Sequence, residues 1–171
     1  MNSRSCQKGT IMHLVVQAKI MRFPYKKILC PLDFDDNSIH ALEKAVEIAR
    51  HFGAEVFLVH VVPLIVEARP IAYEHYEESQ KAAMAKLNEI ASQKLGSVEH
   101  RCIVYSGDVI GSILQALERF QPDLLVMATH GRRGLARFVS GSVAEAIVRK
   151  AGCPVLTVRS EETEAHEKST D

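Results

Sequence analysis

Two hydrophobic patterns alternate along the chain between Lys26 and Arg159. One is the unbroken apolar run of strand length. It occurs at residues 26–32 (KKILCPL), 54–62 (AEVFLVHVV), 123–129 (DLLVMAT) and 155–158 (VLTV). Runs without alternation are what strands buried on both faces require. A further run, 99–105 (EHRCIVY), is more polar and is expected at a sheet edge. The other pattern is helical spacing. Leu42, Ala45, Val46, Ala49 and Phe52 share one face of a helix opened by Ser38, with Gly53 as its C′ residue. Met84, Leu87, Ile90, Ala91 and Leu95 form the inner stripe of a long helix over about 73–95. Ile110, Ile113, Leu114, Leu117 and Phe120 follow the start signal Ser106-Gly107-Asp108. Ser142 and Glu145 make the S-x-x-E capping box of a fourth helix, which Gly152-Cys153-Pro154 ends. Strand, helix, strand in succession implies parallel pairing. Five strands and four helices predict one doubly wound five-stranded parallel sheet, a Rossmann-like, flavodoxin-type three-layer α/β/α domain.

The flanks do not share this alternation. Residues 1–24 contain a short Leu14-Val15-Val16 run, broken by His13, Gln17 and Lys19. That is too short for a membrane span and too interrupted for a signal-peptide core. The segment is expected to be an appendage outside the fold, leaving 25–160 as the domain. Residues 63–70 read as a loop, and the polar, acidic 161–171 as a disordered tail.

Composition excludes more than it selects. The chain has 171 residues with Lys+Arg 21 and Asp+Glu 21, so no global charge draws it to nucleic acid or a membrane surface. Cys6, Cys30, Cys102 and Cys153 are far apart with no C-x-x-C, which points to a reducing compartment and a cytoplasmic protein. No H-E-x-x-H, G-x-x-x-x-G-K-[ST] or G-x-S-x-G motif is present. No metal ligands and no catalytic residues are therefore assigned.

One stretch carries candidate chemistry. From Leu124 to Ala144 there is no acidic residue, while His130, Arg132, Arg133 and Arg137 stand there with Gly131, Gly134 and Gly141. A helix N-terminus offers unpaired N–H groups and the positive end of a dipole, and glycines let the main chain approach a phosphate. Spacing alone leaves two readings open: an anion cradle, or turn glycines with solvated arginines. Ligands of doubly wound sheets sit beyond the carboxyl ends of the strands. That rule collects Pro31-Leu32-Asp33, His60-Val61-Val62 and Met127 to Gly134.

The segment H-G-x9-G-S between two such strands resembles the nucleotide-binding motif of the universal stress protein family, G-x2-G-x9-G-[S/T]. The match places Gly131, Gly141 and Ser142 on the pattern and Ala128 where the family has glycine. The opening K-I-L-x-P-x-D-F, the H-V-V strand end and L-x-V-M-A-T-H-G extend the resemblance over 26–159. It implies an ATP-binding stress-response regulator. Asp33 and the backbone near Pro31, Leu32 and Val61 would hold the adenine and ribose. Gly131, Arg132, Arg133, Gly134, Gly141, Ser142 and Val143 would hold the phosphates, beside His130, with Met127 and Ala128 as the wall. No carboxylate pair stands in the phosphate loop, so any Mg2+ would rest on phosphate oxygens and water. Any ATP hydrolysis is expected to be slow. The resemblance also implies a homodimer through the last strand, Pro154 to Arg159, and an unidentified protein partner. A nucleotide-free interaction module and a slow ATP-using enzyme are the alternatives.

Overall fold

A computed structural model describes residues 12–15, 23–63, 72–129 and 142–159, with only the backbone of 12–15, 72–75 and 142. In chain order the elements are β1 (Met12–Val15), β2 (Lys27–Pro31), α1 (Asp36–Phe52), β3 (Glu55–Val62) and α2 (Ala72–Lys94). They continue as β4 (His100–Ser106), α3 (Val109–Phe120), β5 (Leu124–Ala128), α4 (Ser142–Lys150) and β6 (Val155–Val158). The sheet order is β1-β6-β5-β2-β3-β4. Strands β2 to β6 pair in parallel, and the polar β4 is an edge, as expected. Counted along these five alone, the order is 3-2-1-4-5, that of a Rossmann half. The flavodoxin comparison holds for the layers and not for this order.

The five parallel strands are joined by a sixth. Met12–Val15 pairs antiparallel with β6 over its whole length, from Met12 opposite Val158 to Val15 opposite Val155. This corrects the expectation that everything before residue 25 lies outside the fold. Phe23 belongs to that segment too, and its ring lies 4.6 Å from Tyr25 and 5.8 Å from Phe52.

Strand alternation sorts the core into two layers. Ile28, Cys30, Val56, Leu58, Leu124 and Val126 face α1 and α2, meeting Leu42, Ala45, Leu87, Ala91 and Leu95. Leu29, Phe57, Val59, Leu125 and Met127 face α3 and α4, meeting Ile113, Leu117, Ala144 and Ile147. Most are fully buried, and each Leu or Ile so placed contributes about 1.5–3 kcal/mol relative to exposure. Cys30, in the centre of β2, is wholly buried, and burial pushes its thiol up to about 12.

The helix starts follow from their caps. Asp35, extended at φ −88° and ψ 166°, accepts the Ser38 N–H at 2.7 Å. The helix therefore opens at Asp36, two residues before the Ser38 start expected from sequence. Its end is as expected: Gly53 is left-handed at φ 62° and donates its N–H to the Ala49 carbonyl. Asp108 caps α3 in the same way, accepting the Gly111 N–H at 2.6 Å. For α4, Ser142 is the first helical residue, and Glu145 accepts from Arg149 at 2.7 Å. The Ser142 side of the expected capping box lies outside the described side chains. The loop at 63–70 falls almost wholly outside the described residues, and the tail at 161–171 entirely so.

Candidate functional site

The crevice rule for open α/β sheets has a definite address here. Strands β2 and β5 are neighbours in the sheet, and their crossovers run in opposite directions, so the switch point lies between their carboxyl ends. Pro31 closes β2, Val61 lies near the end of β3, Met127 and Ala128 close β5, and Ser142 opens α4. By strand alternation Val61 and Met127 project to the α3/α4 face, with 9% and 5% of their surface exposed. Val143, in the first turn of α4, packs on that same layer. Apolar side chains and a helix N-terminus thus share one corner of the molecule.

Ala128 stands one residue further along and on the opposite face. It packs against the α1/α2 layer and is paired with Val158, in extended backbone. Only Phe34 and Gln121 among described non-glycine residues have positive φ. The alanine that replaces the family's glycine therefore carries no left-handed strain. Its methyl group also lies on the other side of the sheet from Met127.

The turn after β2 is held by contacts that no local pattern announces. The Leu32 N–H donates to the Val59 carbonyl at 2.8 Å. The Leu32 carbonyl lies 2.7 Å from His60 Nδ1, and because a carbonyl only accepts, Nδ1 is the donor there. Phe34, left-handed at φ 68°, stacks on the His60 ring with centroids 4.1 Å apart. Lys86 Nζ of α2 sits 4.6 Å from the Phe34 centroid, at cation–π distance. A stack and a cation thus hold a backbone conformation that costs a non-glycine residue about 1–2 kcal/mol. The result fixes Asp33, whose Oδ1 accepts the Asp35 N–H at 3.2 Å.

Asp33 and Asp35 form a carboxylate pair at the mouth of this turn. The carboxyl of Asp35 is raised above its ordinary range. Burial is the largest cause; the Ser38 N–H opposes it, and the neighbouring Asp33 adds to it. A cation or a hydroxyl donor is the chemistry such a pair favours, and a phosphate is what it repels.

One further group stands on the α3/α4 face. Tyr105 of β4 is paired with Val61 and packs on the same layer, and its buried hydroxyl has no hydrogen-bond partner among the described residues. Composition and spacing hold no signal for it; the residue reads as an ordinary edge-strand aromatic. The structure thus brings together Pro31, Leu32, Asp33, Val61, Met127, Ala128 and Val143 at one end of the sheet, on both faces. His130, Gly131, Arg132, Arg133, Gly134 and Gly141 lie outside the described residues, and Ser142 is described in backbone alone. Among the described residues no group of three or more His, Cys, Asp or Glu is placed to hold a metal ion. No helix among them is long and apolar enough to cross a membrane.

A half-sheet of order 3-2-1-4-5 with a helix N-terminus at its switch point defines a doubly wound α/β domain of the Rossmann type. A model of the universal stress protein family matches residues 24–159, and the chain belongs to that family. Universal stress protein MJ0531 of Methanocaldococcus jannaschii is 34% identical over 142 residues, covering 79% of this chain and 82% of its own. The solved structure of MJ0577 from the same organism superposes with a TM-score of 0.74 at 28% identity, over 83% of this chain and 99% of that one. At 20% identity the fold alone is shared with two structures solved with nucleotides. A universal stress protein in complex with cAMP has a TM-score of 0.60 over 78% of this chain and 97% of its own. The Archaeoglobus fulgidus protein in complex with dAMP has 0.54 over 78% and 98%.

Proposed function

We propose that this protein is a cytoplasmic stress-response regulator that binds ATP at the carboxyl end of its sheet. The observation that carries the proposal is the meeting of the β2, β3 and β5 ends with the N-terminus of α4 at the switch point. Asp33, with the backbone of Pro31, Leu32 and Val61, takes the adenosine end. Met127 and Ala128 form the wall. His130 to Gly134, with Gly141, Ser142 and Val143, take the phosphates, where N–H groups and arginine charge favour an anion. Mg2+, if bound, is held by the phosphates and water. The nucleotide-bound relatives support an adenine nucleotide as the ligand class. Nucleotide occupancy then sets the shape offered to a protein partner, and turnover is slow or absent. A homodimer through Pro154 to Arg159 is the assembly that accompanies this role.

Titration of nucleotide-stripped protein with ATP tests the proposal. Binding should be lost in Gly141→Val, whose Cβ would stand between backbone and phosphate. It should weaken for adenosine and ATP alike in Asp33→Ala. Arg132→Gln should weaken ATP modestly and lessen the salt dependence. No binding at millimolar ATP, in the wild type and in Ala128→Gly, refutes the nucleotide role. Binding restored by Ala128→Gly alone would make this chain a nucleotide-free interaction module.

A further inference from the structure

We propose that His60 is a positioning residue for the adenosine end of the ligand, acting through the two residues that flank Asp33. The proposal rests on the nucleotide reading above, which gives Asp33 to that end and assigns nothing to His60. One imidazole holds both neighbours of Asp33. Its Nδ1 donates to the Leu32 carbonyl at 2.7 Å, and its ring stacks on Phe34 with centroids 4.1 Å apart. The Leu32 carbonyl shares a peptide plane with the Asp33 nitrogen, so holding the one orients the other. On the far side, the stack keeps Phe34 in its left-handed conformation at φ 68°. A residue has only two soft backbone dihedrals, so one held from both flanks has little freedom left.

Consecutive residues of β3 divide this work. The Val59 carbonyl accepts the Leu32 N–H at 2.8 Å. His60 projects to the α1/α2 face, where it meets Phe34. Val61 projects to the α3/α4 face, and its backbone is the ligand contact of the nucleotide reading. Strand alternation thus sets the holder of Asp33 and the neighbouring ligand contact side by side on one rigid element. What is held is an acceptor. Asp33 Oδ1 takes the Asp35 N–H at 3.2 Å, and a carboxylate offers about four acceptor sites, so capacity remains for a hydroxyl or amino hydrogen of adenosine. A carboxylate fixed beforehand forms that bond without a further loss of its own freedom. His60 therefore adds affinity without touching the ligand.

Double-mutant cycles in ATP affinity test this, on nucleotide-stripped protein checked for folding by circular dichroism. His60→Phe keeps a ring against Phe34 and removes the donor. Phe34→Gly keeps the donor and removes the stack, with a residue that adopts positive φ freely. Asp33→Ala should weaken ATP about 10- to 100-fold, and each of the other two about tenfold. In the Asp33→Ala background each should cost less than about twofold, because the group they position is gone. Equal losses with and without Asp33, or no loss from either variant, overturn the proposal. The ligand-free protein supplies a second readout, the exchange of the Asp35 amide hydrogen that Asp33 holds. It should quicken in both variants, and unchanged exchange in both overturns the positioning whatever ATP does. If the wild type binds no ATP, the nucleotide reading fails, and the Asp35 amide alone decides whether His60 holds Asp33.

Discussion

The two faces of the sheet treat the strand ends differently. On the α1/α2 face the polar groups of the turn after β2 are engaged: the Leu32 carbonyl meets His60, Asp33 and Asp35 accept N–H groups, and Lys86 covers Phe34. On the α3/α4 face Val61 and Met127 are apolar, and the Tyr105 hydroxyl has no partner among the described residues. Hydrogen bonds and stacking have shaped the first into a fixed turn. The second is an apolar wall beside a helix N-terminus, whose first N–H groups have no partner within the helix.

Paired cavities would show the contrast most strongly. Leu87 and Ile147 are both fully buried, one on each face, so Leu87→Ala and Ile147→Ala should each cost about 2–5 kcal/mol in urea unfolding. Only Ile147→Ala should also weaken ATP, because it loosens α4. Equal loss of affinity in both would erase the division between faces.

The turn on the α1/α2 face is next in size. Asp35→Ala removes the α1 cap and should cost ~1 kcal/mol. Asp35→Asn keeps a cap and removes a titration. Because the folded carboxyl of Asp35 is raised, its contribution is fully present below the unfolded value and declines as pH rises through the folded one. The wild type should therefore lose stability relative to Asp35→Asn between acid and neutral pH. A constant difference across that range would contradict the assignment.

Tyr105→Phe removes a buried hydroxyl that no described residue satisfies, so it should raise thermal stability slightly, by up to ~1 kcal/mol. A lowered melting temperature would mean that the hydroxyl has a partner after all. The smallest effect is expected at Glu43, whose carboxyl the hydrogen-bonded Lys94 holds below its ordinary range. This depressed group has the opposite sign from Asp35. Its stabilisation is present at neutral pH and is lost as pH falls through the folded value. Both side chains are well exposed, so Glu43→Gln should cost only a few tenths of a kcal/mol at pH 7.

Legibility followed the range of the interactions. Strands β2, β3 and β5 were readable to within about two residues because burial on both faces leaves an unbroken apolar run. The start of α1 was displaced because Asp35 and Ser38 both suit a cap, and only the backbone at Asp35 decides between them. Strand β1 was missed because Met-His-Leu-Val has no period of its own and is a strand only through residues 140 or more positions away. The positions of Asp33, Val61 and Met127 at the carboxyl ends of β2, β3 and β5 followed from the strand runs themselves. The Phe34–His60–Lys86 stack joins three separate elements, and no spacing along the chain encodes it.

Cys30 turns this architecture into a clock. Thiol reagents attack the thiolate, and a thiol pushed up to about 12 in the middle of β2 offers almost none at neutral pH. Exposure requires the sheet's central strand to part from its neighbours. In a chain whose Cys6, Cys102 and Cys153 are replaced by serine, the labelling rate of Cys30 would report that opening alone. Each tenfold slowing on adding a ligand would then equal about 1.4 kcal/mol of linkage between the ligand and the sheet.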